Sequence, residues 1–276
     1  MKLQKLNYLN VGCGSKYHKD WVNVDMVAHS KDVIKANLLN GIPFPDNTFD
    51  VVYHSQVLEH FPKENALHFM RECYRVLKKG GIIRVVVPDL ENIIDEYKKN
   101  LDNCLKADND LFKANYDWIM LEMYDQTVRN YSGGQMAEFL IQPHLINEEY
   151  IFARIGKIGK IIRDNYIESY QNQFRQKKTF SFIGTIKKSI KYLIRKLSCI
   201  LRTERCKVGN FRLGGEIHMW MYDRYSLSRI LKDSGFHSIS KKDPFTSDIP
   251  DWNDYELDVK EGFVNDPASL FMEAIK

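Results

Sequence analysis

Apolar and polar positions recur with two different periods along this chain, and the change between them divides it. Early on, short β-rich runs follow one another: residues 8–11, ending in a glycine-rich turn; 21–25, ending in an acid; and the shorter 32–36. FDVVY at 49–53 reads as a buried fourth strand. Over 65–77 the period becomes helical, with Leu67, Met70, Tyr74 and Leu77 on one face, and Gly80-Gly81 is expected to end that helix. A fifth strand at 82–87 is apolar apart from Arg84 and closes at Pro88. Strands buried on both faces and joined by helices or crossovers predict a mostly parallel, doubly wound α/β sheet.

From about Ile93 to Leu213 the pattern is helical, rich in Tyr, Asn, Lys and Arg, with no strand series. Alternation resumes with a helix at 226–234 stopped by Gly235, a strand at 236–240 and a last apolar run at 269–275. This predicts one sheet domain, residues 1–93 and 214–276, interrupted by a helical cap at 94–213. No internal repeat or low-complexity segment interrupts the pattern.

Composition changes this picture little. Of 276 residues, 44% are hydrophobic and 28% charged, which is globular composition and excludes general disorder. A net charge of +4 gives no reason to expect a nucleic-acid partner. The five cysteines (Cys13, Cys73, Cys104, Cys199, Cys206) are scattered without a CxxC pair, so neither a zinc site nor a disulfide framework is expected. Without a secretion signal or a run of about 18 apolar residues, a soluble, cytoplasmic protein is expected.

The chemistry begins at the first turn. Gly12 and Gly14 lack the Cβ that would keep a ligand off the backbone. Asp25, at the end of the next strand, is placed to accept both hydroxyl protons of a ribose. LNVGCGS (9–15), VNVD (22–25), PFPDNTFDVVYHSQVLEHF (43–61) and RVLKKGGIIRVVVPDLE (75–91) follow in the order seen in class I S-adenosylmethionine (SAM) methyltransferases, which this chain resembles. Within that superfamily it resembles the short methyltransferases often encoded with bacterial surface-polysaccharide genes. HMWMYDRYSLSRILKDSGF (218–236) and SLFMEAIK (269–276) match their closing segments.

The resemblance implies a Rossmann-like, seven-stranded sheet with the last strand antiparallel and SAM across the strands' carboxyl edge. Gly12, Cys13 and Gly14 would line its methionine half, and Asp25 would hold the ribose. Met26 would lie beside the adenine, Asn37 and Leu38 would replace an Asp–apolar pair against that ring, and His54 and Ser55 would border the sulfonium. Three residues depart from the pattern: Asn10 is often acidic, Asn37 usually Asp, and Lys79 commonly Pro. The span from Gly14 to Asp25 is short, which predicts a reduced or absent first crossover helix.

Methyl transfer is an in-line displacement governed by positioning, and a hydroxyl acceptor adds the need for a general base. His60, His218 and Asp89 are the candidates, in that order, because imidazole titrates near neutrality and Glu59 could orient a partner. Alternatively, His60 bonds locally and Asp89 caps a helix beginning at Leu90. His218, Trp220 and Tyr222 alternate, so they are expected to share one face, as an aromatic wall for a sugar or as core. Some methyltransferases carry Glu-x-x-Glu-His here and bind a divalent ion; Gln56 replaces the first carboxylate, so no metal is expected.

In the cap, Glu122, Asp125, Gln126 and Arg129 form one polar helical stripe. Glu122, Gln126 and Arg129 are candidate acceptor-binding residues, the other reading being a solvated face. The turn Ser132-Gly133-Gly134 would suit a close backbone approach to ligand. Residues 183–201 pattern as a basic amphipathic helix, fit for peripheral contact with an anionic membrane or, more commonly, for docking on its own domain. The expected function is SAM-dependent O-methylation of a sugar or sugar-linked precursor of a bacterial capsule or other surface polysaccharide. The alternatives are a small metabolite or a phosphate-type group on a capsule precursor as acceptor, or a SAM-binding scaffold without turnover.

Overall fold

The predicted strands form, and they pair in parallel except at one place. In the computed structural model, which describes residues 6–175 and 203–276, β1 (Tyr8–Val11), β2 (Val22–Asp25), β3 (Val33–Lys35), β4 (Phe49–Ser55) and β5 (Leu77–Pro88) precede the helical region. After it come β6 (His237–Lys242), a two-stranded ribbon of β7 (Val259–Lys260) and β8 (Phe263–Val264), and β9 (Ser269–Ile275). The main sheet has seven strands in the order β3-β2-β1-β4-β5-β9-β6. Only β9 runs antiparallel, pairing Val85 with Met272 on β5 and Lys241 with Met272 on β6. The fold is the Rossmann-like α/β sheet implied by the resemblance, and the first crossover carries no helix.

The helices are α1 (Lys63–Val76), α2 (Leu90–Lys106), α3 (Asp110–Val128), α4 (Gly134–Leu140), α5 (Glu148–Ile155), α6 (Lys157–Arg175), α7 (Glu204–Arg212) and α8 (Arg224–Asp233). Among the described residues, everything between β5 and β6 that is regular is helical. One sheet face packs Leu9, Val11, Val52 and Val85 under Phe69, Met70 and Cys73 of α1 and Leu227 and Leu231 of α8. The other face packs Tyr8, Trp21, Tyr53 and Phe271 under a loop that inserts Ile249, Trp252 and Leu257. Trp118, Leu140 and Ile151 form a separate small core in the cap.

Several expectations shift. The helix expected to stop at Gly80-Gly81 ends at Val76, because Leu77 is fully buried and pairs with Phe49. The glycines fall inside β5, beside a break in its register with β4. The buried face of α1 is Ala66, Phe69, Met70, Cys73 and Val76, rotated from the expected one, with Leu67 and Tyr74 at its border. Arg84, the one charge in β5 between Ile82 and Val87, is fully buried: it donates to Asp258 and Glu273 at 2.7 Å each and to the carbonyls of Thr246 and Asp243 at 2.9 Å. Tyr53 also donates to Asp258, at 2.7 Å, so this cluster ties the covering loop to the sheet. The basic stretch 183–201 lies outside the described residues. Among those described, no helix is long and apolar enough to cross a membrane.

Candidate active site

At the carboxyl edge of the sheet the chain turns sharply after β1. Gly12 has φ +69°, and a Cβ there would sit 2.5 Å from Cγ2 of Val57, so only glycine fits. The N–H groups of Gly12 and Cys13 donate to the Val24 carbonyl (2.7 and 3.2 Å), which locks the turn onto β2. Asp25 completes it, accepting from Gly14 N at 2.8 Å and Val27 N at 2.9 Å, one bond to each carboxylate oxygen. Each oxygen keeps a further lone pair for a ribose hydroxyl. Cys13 is buried, which pushes its thiol up to about 11, so it is a packing residue rather than a nucleophile.

A cavity of about 440 Å³ opens on this turn, with Gly12, Asp25, Met26 and Leu38 in its wall. Val57, His60, Asn65 and parts of the loop that follows α7, among them Gly215, Ile217 and Met219, close it, and of these the sequence singles out only His60. These residues fit the nucleoside of SAM: a carboxylate for the ribose and apolar side chains for the adenine. Asn37 behaves differently from expectation, its Oδ1 accepting from Leu39 N at 3.1 Å as the cap of a short 3₁₀ turn. His54 is a correction. Its ring is fully buried against Phe69, 5.2 Å between centroids, and away from either cavity. Neither ring nitrogen has a partner, and burial lowers its pKa to about 3. Ser55 ends β4, and neither it nor Cys13, Gly14 or Asn37 is among the lining side chains.

A second cavity, about 290 Å³, lies between the sheet edge and the cap. Three of the expected acceptor residues, Glu122, Gln126 and Arg129, line it. The polar stripe of α3 therefore faces inward: Glu122 is 7% and Asp125 4% exposed. Arg154 of α5 donates to Glu122 Oε2 at 3.1 Å and to Asn92, and Trp118 Nε1 donates to the same Glu122 oxygen at 3.1 Å. Of the glycine turn, Gly133 stands in the cavity wall, while Gly134 packs against a side chain. Asp125 accepts from Gln135 N at 2.8 Å, and a Cβ at Gly134 would lie 2.3 Å from its Oδ2. Gln56, with φ +56°, lines both cavities and donates to Ser269 Oγ at 2.9 Å.

The candidate bases are rearranged. His60 and His218 come together, 4.8 Å between ring centroids and edge to face. Burial lowers both below the usual histidine range, His218 to about 3, with His60 and Arg129 adding to the depression there. The premise that two imidazoles titrate near neutrality at this site is corrected accordingly. Glu59, fully buried beside them, is pushed up to about 8 by burial. Asp89 is the cap of α2, accepting from Glu91 N at 3.1 Å, and lies in neither cavity wall. The aromatic wall does not form. Tyr222 is core at 3% exposure, while Trp220 lies outside under the Lys63 ammonium, 4.3 Å from the ring centroid.

With this geometry in place, residues 9–85 match the family model described as a methyltransferase domain. A probable S-adenosylmethionine-dependent methyltransferase of Mycobacterium tuberculosis is 33% identical over 99 residues, 29% of this chain and 35% of that one. An uncharacterised protein of Haemophilus influenzae is 30% identical over 155 residues, 54% of this chain and 58% of that one. The phosphoethanolamine N-methyltransferase of Plasmodium falciparum is 29% identical over 28% of this chain and 30% of its own. The chain thus spans about a third of the length of the first curated relatives it matches. A SAM-dependent methyltransferase structure from Archaeoglobus fulgidus superposes with a TM-score of 0.38 at 12% identity, over 98% of this chain and 86% of that one. At that score the fold rests on strand order and register alone. The matched segment carries β1 to β4 and most of β5 of this sheet, and SAM is the cofactor that the match to methyltransferases implies.

Proposed function

We propose that the chain is a SAM-dependent methyltransferase whose cofactor occupies the cavity at Gly12–Asp25 and whose acceptor enters between the sheet edge and the cap. The observation that carries this reading is Gln56, common to the walls of both cavities. Donor and acceptor must meet in line, and a shared wall residue marks where two bound molecules come into contact. Bound there, SAM supplies an electrophilic methyl group on a sulfonium. Asp25 and the glycine turn orient the nucleoside, while Gln56, Gln126 and Ser269 offer hydrogen bonds to the acceptor. On this reading residues 94–213 are the acceptor-binding part, and 1–93 with 214–276 the cofactor-binding part.

For the acceptor we favour a neutral hydroxyl on a sugar or sugar-linked precursor, as the resemblance to surface-polysaccharide methyltransferases suggests. Both arginines of the cavity are engaged: Arg154 with Glu122, and Arg129 with Glu216 at 3.4 Å and Asp125 at 4.0 Å. That leaves little free positive charge for a phosphate-type acceptor. Incubating the protein with SAM and a panel of nucleotide sugars, while measuring S-adenosylhomocysteine release, tests the proposal. Release with a sugar bearing free hydroxyls is expected. SAM binding with no release from any acceptor would favour the scaffold alternative.

A further inference from the structure

We propose that Glu59, His60 and His218 form a binding site for a divalent transition-metal ion of the zinc or manganese kind, with two imidazoles and one carboxylate as protein ligands. One donor atom from each lies within 4.8 Å of the others. Metal–ligand bonds of about 2.0–2.2 Å would draw tetrahedral donors to roughly 3.4 Å apart, a small side-chain adjustment from this arrangement.

The carboxylate supplies an independent observation. Glu59 is 0% exposed, and neither of its oxygens has a hydrogen-bond partner. A buried carboxylate without a partner is one of the most costly groups a core can hold. Protonation would remove the charge and still leave both oxygens unpaired; a cation between Glu59 and the two rings satisfies them.

The His60 imidazole is oriented to ligate. The Ile217 carbonyl lies 3.1 Å from His60 Nδ1 and can only accept, so Nδ1 carries the proton and Nε2 keeps its lone pair. Such a carbonyl contact is how ligating histidines are commonly held. Backbone bonds fix the two segments against each other: Met219 N donates to Glu59 O at 2.7 Å, and His218 N to Gln126 O at 2.9 Å. Arg129 is the charged group facing both rings, and Asp125 and Glu216 offset its charge.

The donor set also selects the ion. Magnesium and calcium want oxygen ligands, whereas imidazole with carboxylate suits zinc, manganese, iron or nickel. Considering the 56–60 stretch alone gives the opposite answer, because Gln56 turns its amide to Ser269 and the third ligand comes from the distant loop at His218. Three protein ligands leave a coordination position open.

The test is a titration of the full chain, stripped with chelator, using Co²⁺ as a visible-absorption probe and Zn²⁺ as competitor. One equivalent of Co²⁺ should give d–d bands that Zn²⁺ abolishes. His218→Asn, His60→Asn and Glu59→Gln should each weaken binding by about 100-fold. Far-UV circular dichroism and the thermal melting temperature serve as the folding control. The parent chain lacking a Co²⁺ spectrum, or a His218→Asn protein that keeps it unchanged, would overturn the proposal. If the stripped parent binds S-adenosylhomocysteine and no metal, this inference fails while the methyltransferase reading stands.

Discussion

The two cavities that meet at Gln56 are built in opposite ways. The cavity proposed for the cofactor takes Gly12, Asp25, Met26, Leu38 and Val57 from successive loops at one edge of a parallel sheet. Backbone geometry holds it, through a left-handed glycine, N–H groups on the Val24 carbonyl, and a carboxylate bridging two amides. The cavity proposed for the acceptor draws on Pro88, α3 to α6 and Ala268-Ser269, which meet only through tertiary packing. Buried charges hold it: Glu122 with Arg154, Asp125 on the first turn of α4, and Arg163 on the carbonyl of Leu140 at 2.6 Å. A site made by backbone turns is generic to a cofactor, whereas one made by long-range side-chain pairs can differ between relatives. On the proposed function, acceptor choice then resides in the cap.

The sharpest way to break that contrast is at Arg154. Arg154→Ala leaves Glu122 buried without its cation and should cost about 3–5 kcal/mol of stability in urea unfolding. Replacing both by apolar residues, Glu122→Leu with Arg154→Met, should restore most of it, since the penalty belongs to the orphaned charge. A loss under about 1 kcal/mol in Arg154→Ala would mean that the cap does not depend on its charge pairs.

Next comes Gly12→Ala, which attacks the cofactor side through its backbone. Left-handed strain and the contact with Val57 together should cost about 2–4 kcal/mol. Adding Val57→Ala should recover only the contact part, because φ stays positive. Parental stability of the single variant by thermal melting would show that the turn is less constrained than its geometry indicates.

A smaller effect is expected from Asp25→Ala, which should weaken SAM binding by about 1–3 kcal/mol in calorimetry. Asp25→Asn keeps an acceptor and should lose less. Unchanged affinity in the alanine variant would remove the ribose from Asp25 and the cofactor from this cavity.

The same contrast explains what was legible in the sequence. Gly12, Asp25, Met26 and Leu38 could be gathered at one cavity wall because a strand followed by a turn has only a few local solutions, each marked by glycine or an acid. Glu122, Gln126 and Arg129 could be found because helical period puts them on one face, though period alone cannot tell an inward face from a solvated one. Trp220 and Tyr222 fail for a related reason: alternation implies a shared face only in a strand, and the segment from Ile217 to Tyr222 is irregular. Arg154 was missed because nothing local announces a residue that acts across the fold. A lone arginine among Ile151, Phe152 and Ile155 was the one available signal. The pairing of His60 with His218 is also tertiary, and burial then removes the near-neutral titration that makes histidine attractive as a base.

The smallest expected effect is at Asp89, where two chemical readings diverge most. As a general base it would be charged during turnover, and Asp89→Asn would reduce the chemical step by about 10²–10⁴-fold. The structure makes it a helix cap instead, since its carboxylate accepts from Glu91 N at the start of α2, with Lys241 3.8 Å from Oδ2. Asparagine caps helices about as well as aspartate, so the loss reduces to the weak pair with Lys241 and to the helix dipole. Asp89→Asn should therefore change stability by only about 0.5 kcal/mol. It should leave single-turnover rates at the parental value once an acceptor is in hand. Asp89→Ala, which removes the cap itself, should cost about 1 kcal/mol while still sparing the rate. A large rate loss in Asp89→Asn with intact stability would return Asp89 to the chemistry, and would place the acceptor beyond the cavity that Gln56 shares.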